Sequence, residues 1–167
     1  MAEPLRVLLV EDVEDDALLI LRELKAGGYD PACERVDNFP ALRAALTGKQ
    51  RDVILCDYLL PGFDGLEALA LYKELDLDIP FLIVSGAIGE ETAVAAIRYG
   101  AHDYIRKDNI SRLCPAIRRE LREAEARSRR GRAEDALRER DMHWRKLTAM
   151  VPGMIYQFTR RPDGSYC

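Results

Sequence analysis

Four short apolar runs in this chain each end on a residue that can do chemistry. The run LLV, residues 8–10, leads into Glu11 and Asp12. The run VILC leads into Asp57, LIV leads into Ser85 and Gly86, and Tyr104, Ile105 and Arg106 lead into Lys107. Brought together, these ends would gather three carboxylates, one hydroxyl and one amine. Carboxylates held side by side repel one another, and at least one would have its pKa raised. A divalent cation resolves that conflict. Hard oxygen ligands with only two or three protein contributions suit Mg2+, which keeps several of its waters and shares a phosphate readily. Asp12 and Asp57 are the expected metal ligands, with Glu11 beside them, directly or through water. A carboxylate can also attack phosphorus and form an acyl phosphate. The transferring oxygens then need their charge neutralised, and positioning does most of the rest. Here the cation would take one oxygen, the Lys107 ammonium a second and the Ser85 hydroxyl a third. Asp57 is thereby a candidate phosphoacceptor.

That chemistry depends on elements that bring the ends together. Residues 53–56 do not alternate with polar residues, so they read as a strand buried on both faces. Pro61 and Gly62 then mark a turn. Further strands are expected at residues 5–10, 31–36, 81–84 and within 102–106. Between them, helices are expected at 17–26, where Leu18, Ile20, Leu21 and Leu24 recur at helical spacing, at 40–46 behind an Asn38 cap, at 66–75 and at 90–99. A long helical stretch begins near Ile110. Strict alternation with short links predicts a parallel sheet covered on both faces by helices. In such sheets the site lies at the carboxyl ends of the strands, near the point where strand order reverses. Glu11, Asp12, Asp57, Ser85 and Lys107 would all stand on that rim.

The motifs LLVED, CDYLLPGFDG, LIVSG and YIRK, in this order and spacing, resemble the response-regulator receiver domain of two-component signalling. The resemblance covers residues 5 to about 122. It implies an α/β, flavodoxin-like (βα)5 fold with a five-stranded parallel sheet and an extended C-terminal helix. It further implies that Asp57 is the phosphoacceptor, Glu11 and Asp12 the acidic pair, Ser85 the switch hydroxyl and Lys107 the phosphate-binding lysine. Tyr104 resembles the aromatic residue that rotates inward when the serine moves, and the main-chain carbonyl of Leu59 would complete a Mg2+ shell. The implied phosphoryl donor is a histidine kinase or a histidine phosphotransfer protein, and the implied catalysis is at most loss of the protein's own phosphoryl group. A homodimer would form through the surface of the fourth helix, fifth strand and fifth helix, or through the linker helix. One departure stands out: many receivers follow the lysine with proline, and this chain has Asp108, which removes the usual reason for a cis peptide there.

Competing chemistries lack their residues. A flavin-binding flavodoxin would need a phosphate-cradling loop after the first strand, where this chain has two acids. There is no G-x-G-x-x-G opening the first helix, no P-loop and no G-x-S-x-G elbow. A phosphatase of the haloacid dehalogenase type would want a second Asp two positions after the nucleophile, where Leu59 stands. His102 and His143 are isolated and carry no expected role. Cys33, Cys56, Cys114 and Cys167 form no C-x-x-C pair, so a zinc site is not expected. Cys56 reads as a small core hydrophobe.

The rest of the chain has a different character. Residues 118–141, RRELREAEARSRRGRAEDALRERD, read as a connecting helix in which Ile117, Leu121, Ala124 and Ser128 make a weak seam, suited to a dimeric coiled coil. Residues 142–167 resemble the start of a PAS sensor domain. The expected organisation is therefore a receiver over 1–122, a linker over 123–141 and a truncated PAS-like start over 142–167. By the same resemblance, the full-length protein would continue into a histidine kinase or a diguanylate cyclase. A net charge of −4 with acids and bases interspersed gives no reason to expect nucleic acid or an anionic membrane as partner. No segment approaches the ~20 apolar residues of a membrane span, and no signal peptide is read, so a cytoplasmic location is expected.

Overall fold

Residues 53–56 are buried on both faces, as their unbroken apolar run requires. They belong to a computed structural model that describes residues 1–86 and 89–150. In chain order its elements are β1 (Glu3–Val10), α1 (Glu14–Ala26), β2 (Tyr29–Val36), α2 (Phe39–Leu46), β3 (Val53–Cys56), β4 (Leu59–Leu60), β5 (Phe63–Asp64), α3 (Gly65–Glu74), β6 (Phe81–Ser85), α4 (Glu90–Tyr99), β7 (Asp103–Arg106), a 3₁₀ segment (Lys107–Arg112) and α5 (Leu113–Met150). Five parallel strands form one sheet in the order β2-β1-β3-β6-β7. The order reverses between β1 and β3, so the crevice opens beside the ends of those two strands. This is the flavodoxin-like receiver architecture expected from the sequence, with its extended C-terminal helix.

The strand pleat sends alternate residues to opposite faces. Leu8, Val10, Ile54, Cys56, Phe81 and Ile83 point to one side and meet Leu42, Leu46, Leu69, Tyr72 and Ala96 from α2, α3 and α4. Val7, Leu9, Val53, Leu55, Leu82, Val84 and Ile105 point to the other and meet Ile20, Leu24, Leu113 and Ile117 from α1 and α5. Each such large side chain contributes about 1.5–3 kcal/mol when fully buried. The strand ends are therefore held by packing from both sides.

Several boundaries differ from the sequence reading. Helix α1 opens at Glu14, not at residue 17, so its first turn carries Glu14, Asp15 and Asp16 where negative charge is favoured. Its buried stripe is Ala17, Ile20 and Leu24; Leu18 is exposed rather than part of that stripe. Strand β2 starts at Tyr29 and includes Pro31; as an edge strand it tolerates the missing N–H. The Pro61-Gly62 turn closes a small antiparallel hairpin of β4 and β5, with Gly62 at φ 84°. Asp64 ends that hairpin and caps α3: its carboxylate accepts from Leu66 and Glu67 N–H, while Glu67 accepts from the Asp64 N–H. Between β7 and α5 the chain turns as a 3₁₀ segment interrupted at Asn109, so the long helix starts at Leu113 rather than near Ile110. No peptide bond among the described residues is cis. His102 has a structural part: its Nδ1 accepts from the Phe81 N–H at 3.1 Å, at the start of β6.

Met1–Arg127 forms one compact unit, and residues from Ser128 onward form another. In the first unit, Ile117 is buried and Leu121 partly so, packed on the α1 side of the sheet. Residues 151–167, the strand part of the PAS-like reading, lie outside the described residues. Among the described residues, no helix is long and apolar enough to cross a membrane. Cys33, Cys56 and Cys114 are free thiols.

Gly27 marks where α1 meets α5. A Cβ there would lie 2.2 Å from Cys114 Sγ and 2.8 Å from its Cβ. The Gly27 backbone is right-handed, so the obstacle is steric. Gly27→Ala is expected to lower stability by about 1–3 kcal/mol in urea unfolding. Cys114→Ala should recover part of that loss when combined with it, giving a non-additive cycle; two independent, additive effects would refute the contact.

Candidate functional site

The acidic rim is built by backbone bonds that continue each strand by one residue. Past β1, the Glu11 N–H donates to the Val36 carbonyl at 3.0 Å, and past β3 the Asp57 N–H donates to the Val10 carbonyl at 2.8 Å. These bonds set Glu11 and Asp57 side by side at the ends of neighbouring strands. Both are buried, Glu11 completely and Asp57 to 8 % exposure. Arg35 Nη1, from the end of β2, donates at 3.4 Å to the carbonyls of both Glu11 and Asp12. Asp57 Oδ1 accepts from the N–H groups of Tyr58 at 2.6 Å and Leu59 at 3.4 Å. Gly65 lets the hairpin fold back under the site: a Cβ there would meet the Tyr58 Cα at 3.1 Å.

Lys107 enters from the end of β7 with its side chain 9 % exposed. Its Nζ donates to Glu11 Oε2 at 2.7 Å, Asp57 Oδ2 at 2.8 Å and Asp16 Oδ2 at 2.6 Å. All three ammonium protons are thus committed to carboxylates. Burial pulls the lysine's pKa down, but its bonds to Asp16, Asp57 and Glu11 outweigh that, and the net shift is upward. Glu11 is also raised: burial pushes its pKa up, and the Lys107 bond only partly offsets this. The causes differ, since the lysine is raised by its carboxylate partners against burial and Glu11 is raised chiefly by burial itself.

Glu11, Asp12 and Asp57 each offer an oxygen within 4.8 Å of the other two. Among the described residues the Asp12 carboxylate has no hydrogen bond or ion pair. A set of carboxylate oxygens, one of them unengaged, fits a hard divalent cation. Leu59, in β4, is tied to the site through its N–H to Asp57 and its pairing with Asp64.

Ser85 closes β6 with its side chain buried, opposite Arg106 of β7 and so next to Lys107. Its hydroxyl makes no hydrogen bond among the described residues. Gly86 leaves the lysine stem clear, since a Cβ there would stand 3.9 Å from Lys107 Cδ. Tyr104 stands on β7, three residues before Lys107. It is half-buried on the α2–α4 side of the sheet, and its hydroxyl is buried without a partner among the described residues. Burial pushes that phenol's pKa up. The structure therefore brings Glu11, Asp12, Asp57 and Lys107 together, sets Ser85 beside them and places Tyr104 on the strand that leads into Lys107.

Asp16 is a residue of the site that the sequence reading missed. The available signal was topological. A helix following a strand begins on the rim where that strand ends, so an acid in its first turn can reach the same lysine. Starting the helix at residue 17 hid that connection.

The model of the response regulator receiver domain matches residues 7–118, well over half of the chain. The phosphate regulon transcriptional regulatory protein PhoB of Pseudomonas aeruginosa is 30 % identical over 120 residues, covering 68 % of this chain and 52 % of its own length. Among solved structures, the Mn2+-bound form of response regulator Rcp1 has a TM-score of 0.58 at 27 % identity, covering 68 % of this chain and 91 % of that one. The phosphorylated cyanobacterial phytochrome response regulator RcpA has a TM-score of 0.57 at 28 % identity, covering 68 % and 88 %. The chain spans about half, or less, of the length of the curated relatives it matches. On the family match, the parallel sheet and the acidic rim together, this chain belongs to the response regulator receiver domain family.

Proposed function

We propose that this chain is the phosphoacceptor module of a two-component phosphorelay, phosphorylated on Asp57. The observation that carries the reading is the buried contact of Lys107 Nζ with Asp57 Oδ2 at 2.8 Å, inside the cluster of Glu11, Asp12 and Asp57. The donor would be a phosphohistidine on a histidine kinase or phosphotransfer protein. An Asp57 oxygen bonds to phosphorus as the donor's phosphorus–nitrogen bond breaks, leaving the electron pair on the histidine. Lys107 stabilises the negative charge on the transferring oxygens, and the Ser85 hydroxyl, at the end of β6, would hydrogen-bond one of them. Asp12, Asp57, Glu11 and the Leu59 carbonyl would hold Mg2+, which when bound neutralises charge between the carboxylates and the phosphoryl group. Water attack on the same phosphorus returns the Asp57 carboxylate and releases orthophosphate, so the module resets slowly by itself. The Mn2+-bound state of Rcp1 and the phosphorylated state of RcpA support this chemistry in proteins of the same fold.

The finer organisation is part of the same proposal. The receiver occupies residues 1–122, a signalling linker 123–141 and a PAS-like start 142–167, in a cytoplasmic protein whose output is a histidine kinase or a diguanylate cyclase. Ser85 and Tyr104 would relay phosphorylation toward α4, β7 and α5. PhoB is by name a transcriptional regulator. The interspersed Arg and Glu of residues 118–141 favour a protein partner over nucleic acid for this chain.

A second reading makes the chain a phosphorylation-independent dimerisation scaffold. It is favoured by the exposed apolar residues Val94, Ile97 and Tyr99 of α4. Light scattering with and without beryllofluoride and Mg2+ separates the two. A change in oligomeric state supports the switch, whereas a dimer of constant mass supports the scaffold.

Intact-protein mass after incubation with acetyl phosphate and Mg2+ tests the main reading. The parent should gain one phosphoryl group, and Asp57→Asn or chelation of the metal should abolish the gain. A gain that survives in folded Asp57→Asn would move the acceptor elsewhere. Mg2+ alone should raise the Tm of the parent and leave Asp12→Asn nearly unaffected.

A further inference from the structure

Asp16 stands on a different element from the other acids and differs from them in exposure. Glu11 and Asp57 are fixed at strand ends and are 0 % and 10 % exposed in their side chains, whereas Asp16 is 36 % exposed in the first turn of α1. Its bond to Lys107, at 2.6 Å, is as short as the lysine's other two. Giving up that bond returns a carboxylate to water. Giving up Glu11 would strand a buried charge, which costs far more.

We propose that Asp16 is a latch on Lys107 that competes with the phosphoryl group, and so sets how tightly the phosphorylated state is held. The inference rests on the reading that Asp57 accepts the phosphoryl group. In the unphosphorylated protein every Lys107 proton is already taken by a carboxylate. A phosphoryl group on Asp57 adds oxygens and negative charge beside them. The proton now given to the Asp57 carboxylate can pass to those oxygens; a second bond from Lys107 must be drawn from Glu11 or Asp16, and Asp16 is the partner whose release costs less. Asp16 also remains as a like charge near the new phosphoryl group, which adds to the competition. It acts through Lys107 and is a positioning residue: no covalent step passes through it.

Removing the latch should therefore favour the phosphorylated state. Beryllofluoride, titrated with Mg2+ present, should bind Asp16→Asn at least about three-fold more tightly than the parent, the scale of an exchangeable ion pair. The phosphoprotein made with acetyl phosphate should lose its phosphoryl group correspondingly more slowly. Asp15→Asn is the control. Asp15 is exposed in the same turn, and among the described residues it has no contact with Lys107. Its affinity should stay within about two-fold of the parent, at about the parent's Tm.

Unchanged or weaker beryllofluoride binding in folded Asp16→Asn overturns the latch while leaving Asp57 phosphorylation standing. Equal tightening in Asp15→Asn also overturns it, by showing a general charge effect. A parent that neither binds beryllofluoride nor takes a phosphoryl group from acetyl phosphate overturns both the latch and the reading on which it rests.

Discussion

One ammonium held among carboxylates at the rim of a buried sheet is the interaction on which the rest depends. Lys107 touches Glu11, Asp16 and Asp57, and Asp12 stands within reach of two of those acids. Burying charge costs several kcal/mol per ion, and only close pairing with good geometry recovers it. The geometry here comes from three separate strands and one helix. A slip of one residue in any strand would turn its terminal side chain to the other face. The full burial of β3 and β6, and of β1 over Val7–Val10, opposes that slip, so the apolar core and the charged rim are two parts of one requirement.

The supporting features near the rim serve the same end. Arg35 ties the carbonyls that follow β1. The β4–β5 hairpin and the Asp64 cap bring α3 up under Asp57, and Gly65 allows that close approach. Tyr58 and Leu59 N–H groups fix one Asp57 oxygen, while Lys107 holds the other. Asp57 thus keeps a single orientation before any metal or phosphate arrives, the condition under which electrostatic stabilisation needs no rearrangement at the moment of reaction.

The parts legible in the sequence were those with one strong local signal. Unbroken apolar runs such as residues 53–56 announce buried strands, and the residue that ends each run is on the rim by topology alone. Asn38 was readable as a cap, and its side chain does accept from the Ala41 N–H. What escaped depended on contacts between elements. Leu18 and Ile20 look alike in composition, but only the direction from which α1 meets the sheet decides that Ile20 is buried and Leu18 exposed. The two-residue strands of the hairpin are too short for any periodicity to register. Asp16 was hidden for a related reason: its partner lies 91 positions away, and only the folded rim brings the two together.

The electrostatics also give the site a direction. The rim sets the carboxylates of Glu11, Asp12, Asp16 and Asp57 against the ammonium of Lys107, and burial raises the proton affinity of Glu11. Lys107 serves stability whatever its chemistry, because removing it would leave Glu11 buried without its ionic partner. Each added charge must redistribute the lysine's three donors, since none is spare. A divalent cation would relieve the carboxylates, and a phosphoryl group on Asp57 would make a new claim on the ammonium. Glu11 is completely buried and could not yield without large cost, so under that proposal the response would appear at the exposed end of the network, on α1. A site of this kind would couple its charge state to the surface through one side chain.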